Sequence, residues 1–342
     1  MPGDLVFITG ANGHVGFATL LQALKQGYHV KAAVRAQSKA DTILNAASTK
    51  ALNPGDALSF TIIPDMLAPG AYDAALAEAK YAIHIASPLG SGEGPEEFES
   101  GIVAPAIKGT IAFLEAAAKS STLKRVVITS SILALFPFSD QKSGASKTYN
   151  ERSRVSDTDA GGPWGSEIEA YTASKTLALN AGERWMGEHQ PGFDLVHIHP
   201  SYVFGRDELT GSAEELVSKG TNRLVMLPFV GVPLPPLLNS SVFVEDVAQA
   251  HVRALDGDIP GGSSIVPSSE MRWERAVEAV KERFPKAVES GVLKIGEPTK
   301  TIEVGVDTSE SEKLLGWKFK GFEEQVSSIV EHYLELKGVE AA

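Results

Sequence analysis

The sequence predicts an α/β fold in which a doubly wound parallel sheet is followed by a smaller C-terminal α/β lobe. Two observations predict it. Short, almost continuously apolar segments alternate with longer helix-like segments through the first 200 residues, which is typical of a parallel sheet covered by helices on both faces. A glycine-rich turn also follows the first apolar segment directly. We therefore divide the chain into residues 1–200 and 201–342, with residues 240–256 expected to return to the first domain.

The elements follow from hydrophobic periodicity. Strands are predicted at Leu5–Thr9, His29–Val34, Leu58–Ile63, Tyr81–Ala86, Lys124–Ser130 and Leu195–His199. Helices between them are predicted at Val15–Gln26, Ser38–Ala47, Ala71–Ala79, Gly109–Ala118 and Tyr171–Glu188. Beyond residue 200, helices are predicted at Asp246–Leu255, Met271–Arg283, Ser309–Leu315 and Phe322–Leu336.

The longest apolar stretch is Leu224–Leu238. It contains four prolines and Gly231, so it cannot form a membrane helix, and we predict a surface loop. Such a loop either packs on the core or covers a substrate.

Charge and composition limit the partners. The net charge is −12, from 31 basic and 43 acidic residues, which disfavours binding to nucleic acid. The chain has no cysteine, so disulfides and thiolate metal sites are excluded, and a reducing cytoplasmic location is expected. With a strand expected at Leu5–Thr9, we predict no signal peptide. His197 and His199 share a strand face without a nearby third ligand, so no metal site is predicted. We expect a monomer or homodimer that acts on a small molecule without a membrane.

The turn after the first strand predicts a Rossmann dinucleotide site. Glycines 10, 13 and 16 form a G-x-x-G-x-x-G motif that opens a helix. Such glycines allow a tight turn and close approach of the backbone to a pyrophosphate at the helix N-terminus. The candidate cofactor contacts in this turn are Gly10, Asn12, Gly13, His14, Val15 and Gly16.

The end of the second predicted strand indicates which dinucleotide binds. Arg35 occupies the region where an NAD site has an acidic residue, and Lys39 follows four residues later. An arginine can bind a 2′-phosphate through two hydrogen bonds, so NADP(H) is the predicted cofactor. Asp65, after the third strand, is a candidate contact for the adenine edge.

Three residues form a candidate catalytic group. Tyr171 and Lys175 are spaced i, i+4 and so share one face of a helix. A lysine ammonium stabilises a phenolate, so the tyrosine can serve as general acid toward a carbonyl oxygen while a hydride reaches the carbon. Ser130 and Ser131 follow the fifth strand at the sheet edge where ligands bind, and either could donate to the carbonyl oxygen.

These motifs together resemble the extended short-chain dehydrogenase/reductase family. The similarity is to its group of dihydroflavonol 4-reductases, yeast methylglyoxal reductase and fungal aldehyde and carbonyl reductases. The matching segments are TGANGHVG at 9–16, VR…K at 34–39, DM at 65–66, HIASP at 84–88, PAIKGT at 105–110, RVVITSS at 125–131, YTASK at 171–175, HPSYVFG at 199–205 and FVEDVAQAH at 243–251.

The resemblance implies a role for each matching residue. Ser131 would be the catalytic serine, with Tyr171 as the acid and Lys175 as its helper. The further cofactor contacts that it implies are Met66, Ala86, Ser87, Thr110, Thr129, Pro200, Ser201 and Val203.

The expected function is NADPH-dependent reduction of a hydrophobic aldehyde or ketone. Phe136, Phe204 and the 224–238 segment are expected to shape an apolar substrate pocket. Two alternatives stay open. A nucleotide-sugar epimerase or dehydratase shares the fold and the three catalytic residues, although Arg35 disfavours it, and a non-catalytic NADPH sensor would need only the dinucleotide site.

Overall fold

The computed structural model describes residues 3–87 and 94–340, so Pro88 of the HIASP motif and the outermost terminal residues lie outside it. Within these ranges the strands are β1 (Leu5–Thr9), β2 (His29–Val34), β3 (Leu58–Ile62), β4 (Tyr81–His84), β5 (Arg125–Thr129), β6 (Ala145–Tyr149), β7 (Asp194–Ile198), β8 (Tyr202–Phe204), β9 (Leu237–Leu238), β10 (Ser240–Phe243), β11 (Ser264–Ile265), β12 (Ser269–Glu270), β13 (Thr301–Ile302) and β14 (Val304–Val306).

The α-helices of the described chain mostly alternate with the strands in the first half and occur partly in consecutive pairs after that. They are α1 (His14–Lys25), α2 (Gln37–Asn45), α3 (Ala47–Leu52), α4 (Asp73–Glu78), α5 (Ala104–Ala118), α6 (Phe138–Ser143), α7 (Glu167–His189), α8 (Ala213–Ser218), α9 (Arg223–Phe229), α10 (Val244–Arg253), α11 (Arg275–Arg283), α12 (Pro285–Glu289), α13 (Ser309–Leu315) and α14 (Phe322–Leu336).

Seven strands form one parallel sheet in the order β11-β7-β5-β4-β1-β2-β3. The strand order reverses between β1 and β4, and in doubly wound sheets ligands bind in the crevice at this switch point. The doubly wound Rossmann fold predicted from the sequence is confirmed.

The two faces of the sheet bury separate cores because side chains alternate along a strand. Val6 and Ile8 pack toward α1, whereas Phe7, between them, packs against α5 on the opposite face. Helix α10 packs in the first core, next to α1, although it follows residue 200 in the sequence.

The C-terminal lobe has its own aromatic core. The Trp273 ring lies 5.7 Å from both Phe204 and Phe322, measured between ring centroids. Its indole nitrogen donates to the carbonyl oxygen of Leu238 at 2.9 Å. This bond ties the core of the lobe to β9.

The segment predicted as a surface loop at 224–238 is a loop only in its middle. Residues 230–236 are irregular and mostly exposed, as predicted. Residues Arg223–Phe229 instead form α9, and Val225, Met226 and Phe229 bury one face of it in the core of the lobe. The first apolar residues of the segment are therefore a buried helix face, with Pro228 in the last turn.

One helical stretch, Glu99–Ala118, is long and apolar enough to cross a membrane by length and composition alone. Half of it is buried inside the protein, where Phe113 and Leu114 pack in the sheet core. A core helix passes the same test, so this is weak evidence for a membrane span.

Candidate active site

The glycine turn connects β1 to α1. Gly10 has a positive φ of 73°, and a Cβ there would lie 2.8 Å from the backbone nitrogen of Ala86. A Cβ on Gly16 would lie only 1.9 Å from the carbonyl oxygen of Gly10. Both positions therefore require glycine: one for its conformation, the other for the close packing of α1 on the turn.

The N-terminus of α1 fits a phosphate group. Gly13 is the N-cap residue, no side chain caps the helix, and its first turn has no acidic residue. A Cβ on Gly13 would have only the Gly10 carbonyl oxygen within 4 Å, at 3.5 Å, so the approach to these N–H groups is open. Uncapped N–H groups beside an open approach suit the pyrophosphate of a dinucleotide.

The other three predicted contacts in this turn differ in where their side chains lie. Val15 lines the cleft described below, and Asn12 is half-buried. The ring of His14 instead lines a separate cavity together with Arg206 and Asp207. Burial lowers the pKa of His14, and the Asp207 charge opposes this shift. The ring thus lies away from the cleft, and the backbone is what His14 offers at the helix N-terminus.

Arg35 and Lys39 lie together at the far end of β2. Both side chains are exposed, and neither has an ion-pair partner within residues 3–87 and 94–340. Helix α2 begins at Gln37, between them, and no side chain caps its N-terminus. This corner of the sheet thus offers two exposed cations and a helix N-terminus to an anion.

The predicted contacts after β3 are engaged locally. The Asp65 carboxylate accepts a hydrogen bond from the backbone N–H of Leu67 at 2.8 Å, which closes a turn. Met66 packs on the core at the same place.

The contacts predicted after β4 and β5 take different partners. The backbone N–H of Ala86 donates to the Thr9 hydroxyl at 3.2 Å. Ser87 accepts a hydrogen bond from Lys175, with 3.3 Å between Oγ and Nζ. The Thr110 hydroxyl donates to the Ala106 carbonyl oxygen within α5. Ser87 is therefore the one of these that reaches the catalytic lysine.

Thr129 contacts His251 of α10, the helix that returns to the sheet domain. The Nδ1 of His251 lies 2.7 Å from the carbonyl oxygen of Val247, which can only accept, so Nδ1 carries the proton. Its Nε2 must then accept from the Thr129 hydroxyl, 2.6 Å away. His251 thus anchors α10 to the end of β5, inside the sheet domain, and the Thr129 proton points to it.

Ser131, Tyr171 and Lys175 line one cleft at the carboxyl edge of β5. The cleft has a volume of about 400 Å³, and Val15, Pro200, Ser201 and Val203 also line it. The Nζ of Lys175 lies 5.6 Å from the centre of the Tyr171 ring. The structure therefore brings the three predicted catalytic residues together with the start of α1.

The local structure leaves the Ser131 hydroxyl able to donate and fixes the position of Tyr171. Ser131 Oγ accepts the backbone N–H of Leu133 at 3.2 Å, which caps a short 3₁₀ turn and leaves its own proton free. Ser166 caps α7 by accepting the N–H of Glu169, and Glu169 accepts in turn from Gly165. This capped start fixes the second turn of α7, which carries Tyr171.

The wall of the cleft is mostly apolar, and most of the residues that form it were not predicted. They are Ile85, Ile132, Leu133, Ile168, Tyr202 and Leu238, with the smaller hydroxyl residues Thr221 and Ser240. Leu238 ends the 224–238 segment, which was expected to shape the pocket, and it is the one residue of that segment found in the wall. Ile168 precedes Tyr171 by three residues on the same helix face, so the i, i+3 spacing could have found it. Ser240 comes from β10, and no local signal connects it to the catalytic residues.

Phe136 and Phe204 were expected in the substrate pocket, and the structure corrects this. Both side chains are fully buried, and neither lines the cleft. Phe136 packs on Tyr149, with 5.1 Å between ring centroids, and Phe204 packs in the core of the C-terminal lobe. Burying a large aromatic side chain stabilises the fold more than lining a wet cleft does.

No group of three or more potential metal ligands was found among residues 3–87 and 94–340. The Nε2 of His199 bonds the Ser264 hydroxyl at 3.0 Å, which gives this histidine a structural contact.

Comparison with known proteins places the chain in a family. Residues 6–265 match the sequence model of the NAD dependent epimerase/dehydratase family. The chain belongs to this family. A ketoreductase of Cercospora nicotianae is 36% identical, with 98% of this chain and 96% of the relative covered. An Alternaria alternata protein named NAD-dependent epimerase/dehydratase is 35% identical, with 95% and 96% covered.

A solved structure extends the comparison. Yeast methylglyoxal/isovaleraldehyde reductase in complex with NADPH is 25% identical, with a TM-score of 0.80 over 98% of this chain and 99% of that one. The resemblance to extended short-chain dehydrogenases/reductases is thereby confirmed, and the chain is an oxidoreductase.

Proposed function

We propose that this protein is an NADPH-dependent reductase of neutral, hydrophobic aldehydes or ketones. The observation that carries the proposal is the meeting of Ser131, Tyr171 and Lys175 in a largely apolar cleft beside the glycine turn. A proton donor and a second hydroxyl in an apolar cleft suit a carbonyl oxygen that gains negative charge.

The cofactor assignment has two supports. Arg35 and Lys39 are exposed cations that follow β2, suited to a 2′-phosphate, and the sequence from 35 to 39 has no acidic residue to bind a 2′-hydroxyl. The yeast reductase of similar structure binds NADPH. When bound, the dihydronicotinamide supplies the hydride to the carbonyl carbon.

Residues of the chain donate the proton to the carbonyl oxygen and stabilise the negative charge that develops. Tyr171 donates its phenolic proton to the carbonyl oxygen as that oxygen becomes an alkoxide. Ser131, whose proton is free, donates a hydrogen bond to the same oxygen. Lys175, held by Ser87, places a positive charge near the Tyr171 ring and stabilises the phenolate that remains.

The substrate class follows from the cleft wall. Lys175 is the one charged side chain among the described residues that line the cleft, and the proposed mechanism already uses it. A carboxylate or nucleotide-sugar diphosphate would find no further cation there. The wall instead suits an alkyl or aryl ketone.

The test is NADPH consumption, followed by absorbance, against aryl ketones, aliphatic aldehydes and α-dicarbonyls. NADH runs in parallel, and a 2-oxo acid of similar size serves as the matched charged substrate. We expect turnover with NADPH, with kcat/KM higher for neutral apolar carbonyls than for the acid. Tight NADPH binding without consumption on any carbonyl would overturn the proposal and favour the epimerase alternative, in which the cofactor is regenerated.

A further inference from the structure

A second, smaller cavity adjoins the cleft, and we call it the lysine chamber. It shares Lys175, Ser87 and Ser130 with the cleft and extends between α5 and α7 toward β7, where His197 lines it. Its volume is about 30 Å³. Gly109 has no side chain and Ala178 only a methyl group, which leaves this space open. A chamber of this size holds one water molecule, provided that enough polar atoms face it.

Two buried polar atoms of the chamber-lining residues have no partner. Ser130 Oγ and His197 Nε2 are shielded from solvent and form no hydrogen bond with any described residue. A buried polar group without a partner is unfavourable, and such groups are normally paired with protein or with ordered water. Ser130 Oγ and His197 Nε2 together offer two hydrogen-bond partners to a single water molecule in the chamber.

Lys175 supplies a third partner. Its ammonium has three N–H donors, and the residue is only 9% exposed. Within residues 3–87 and 94–340 the ammonium forms one hydrogen bond, to Ser87 at 3.3 Å. A charged, mostly buried group needs further hydrogen-bond acceptors, and the cleft and the chamber are the two spaces next to it.

The two histidines that line the chamber add no positive charge next to Lys175. Burial and the Lys175 charge lower the pKa of His84 to about 3, and burial lowers the pKa of His197 to about 4. Both rings are therefore neutral at ordinary pH. The Nδ1 of His84 is held by the Thr9 hydroxyl at 2.9 Å, so this ring is fixed to β1.

We propose that the lysine chamber binds one ordered water molecule, which accepts a hydrogen bond from Lys175 Nζ and joins it to Ser130 Oγ and His197 Nε2. The water holds the ammonium in place beside Tyr171. Ser130 and His197 are thus positioning residues, which act on the reaction through Lys175. This inference rests on the proposed reductase function for its kinetic consequence but not for the water itself.

The first experiment is a crystal structure of the full chain at a resolution that shows ordered water, for the wild type and for His197→Phe. We expect one water within hydrogen-bond distance of Lys175 Nζ, Ser130 Oγ and His197 Nε2 in the wild type and none in the variant. This readout needs no activity, so it stays valid if the reductase assignment fails. A dry chamber in the wild type overturns the proposal.

The second experiment measures kcat, and separately the Kd for NADPH by fluorescence titration. His197→Phe and Ser130→Ala should each lower kcat by about tenfold, since a hydrogen bond to a charged group is lost, and leave the Kd unchanged. His197→Gln, whose amide can replace Nε2, should recover most of kcat.

The matched control is His332→Phe, which removes a buried histidine on α14 that lines neither the chamber nor the cleft. Its kcat should stay within about twofold of the wild type, because no hydrogen bond near Lys175 is lost. If His197→Phe does not fold, Ser130→Ala, which removes one hydroxyl, carries the test. An unchanged kcat in Ser130→Ala, or equal losses in the His197 and His332 variants, contradicts the positioning role.

Discussion

Tyr171 carries the chemical step at the scale of single residues. Replacing it with Phe removes the proton donor but keeps the ring on α7. We expect Tyr171→Phe to lower kcat by about 10²–10⁴, the usual contribution of a general acid, with NADPH affinity preserved. Steady-state kinetics and NADPH titration check this.

Tyr149→Phe provides the matched control, because the Tyr149 hydroxyl bonds Asp140 outside the cleft. It should retain wild-type kcat. Full activity in Tyr171→Phe would remove the tyrosine from the mechanism.

Arg35 decides between the two dinucleotides. Arg35→Asp replaces a phosphate-binding cation with a carboxylate that can accept from a ribose hydroxyl and repels a phosphate. The ratio of kcat/KM for NADPH to that for NADH should fall roughly 10- to 100-fold, the equivalent of one charge-assisted hydrogen bond.

Arg283→Asp makes the same charge change on α11, at an exposed arginine. The cofactor ratio should not move in this variant. If both variants change the ratio equally, the effect is one of net charge and Arg35 has no special role.

Single residues also show the limit of sequence reasoning. Tyr171 and Lys175 could be paired from the sequence because helical spacing is local. Phe136 and Phe204 could not be placed, because a large aromatic residue near a strand end suits a pocket wall and a core equally well. Tertiary packing determines which of the two it is, and Phe204 packs against Trp273, which is distant in sequence.

The glycine turn and α1 act together at the scale of elements. Gly13 and Gly16 can be separated experimentally, since only Gly16 is packed against the Gly10 carbonyl oxygen. Gly16→Ala should lower the free energy of unfolding by about 1–3 kcal/mol, because its methyl group forces α1 away from the turn. Gly13→Ala should keep wild-type stability yet weaken NADPH binding by about tenfold, the loss of one hydrogen bond at the phosphate.

Chemical denaturation and NADPH titration of the two variants measure both effects. Equal NADPH affinity in Gly13→Ala and the wild type would mean that the pyrophosphate does not bind at this helix N-terminus.

Elements with a regular pattern were predictable. Strand β1 and helices α13 and α14 have the bounds that the sequence predicted, because each shows clear periodicity between plain breakers. The 224–238 segment was predicted as one loop because of its prolines, and this holds only for part of it. Pro233, Pro235 and Pro236 lie in the irregular stretch 230–236, whereas Pro228 lies within the last turn of α9, whose apolar face is buried.

Several buried histidines affect the stability of the whole molecule. Burial lowers the pKa of His84 to about 3 and those of His197 and His251 to about 4, against an ordinary value of 6.5. The unfolded chain therefore takes up protons below about pH 6.5 that the folded chain takes up only near pH 4. The free energy of unfolding should fall as the pH drops through this range.

Urea denaturation between pH 8 and pH 5 measures this dependence. His251→Gln should reduce the slope, since Gln does not titrate. A slope that is the same in this variant would mean that His251 is not neutral in the folded protein.

The arrangement of the catalytic site belongs to the scale of the whole molecule. The sequence predicted that Ser131, Tyr171 and the glycine turn would meet, because the carboxyl ends of parallel strands share one edge. It did not predict the part of the wall supplied by Thr221 and Ser240, which depends on how the C-terminal lobe packs over that edge. Long-range packing of this kind leaves no periodic signal in the sequence.

The central claim is that a hydride passes from the nicotinamide to a carbonyl carbon of a released product. It is tested most directly by reducing a neutral aryl ketone with NADPH deuterated at C4, prepared separately in each of its two stereochemical forms. The account predicts that one of the two forms gives an alcohol with a single deuterium on the carbinol carbon and an equal amount of NADP⁺. Deuterium that stays on the cofactor, or an alcohol without deuterium from both forms, would contradict it.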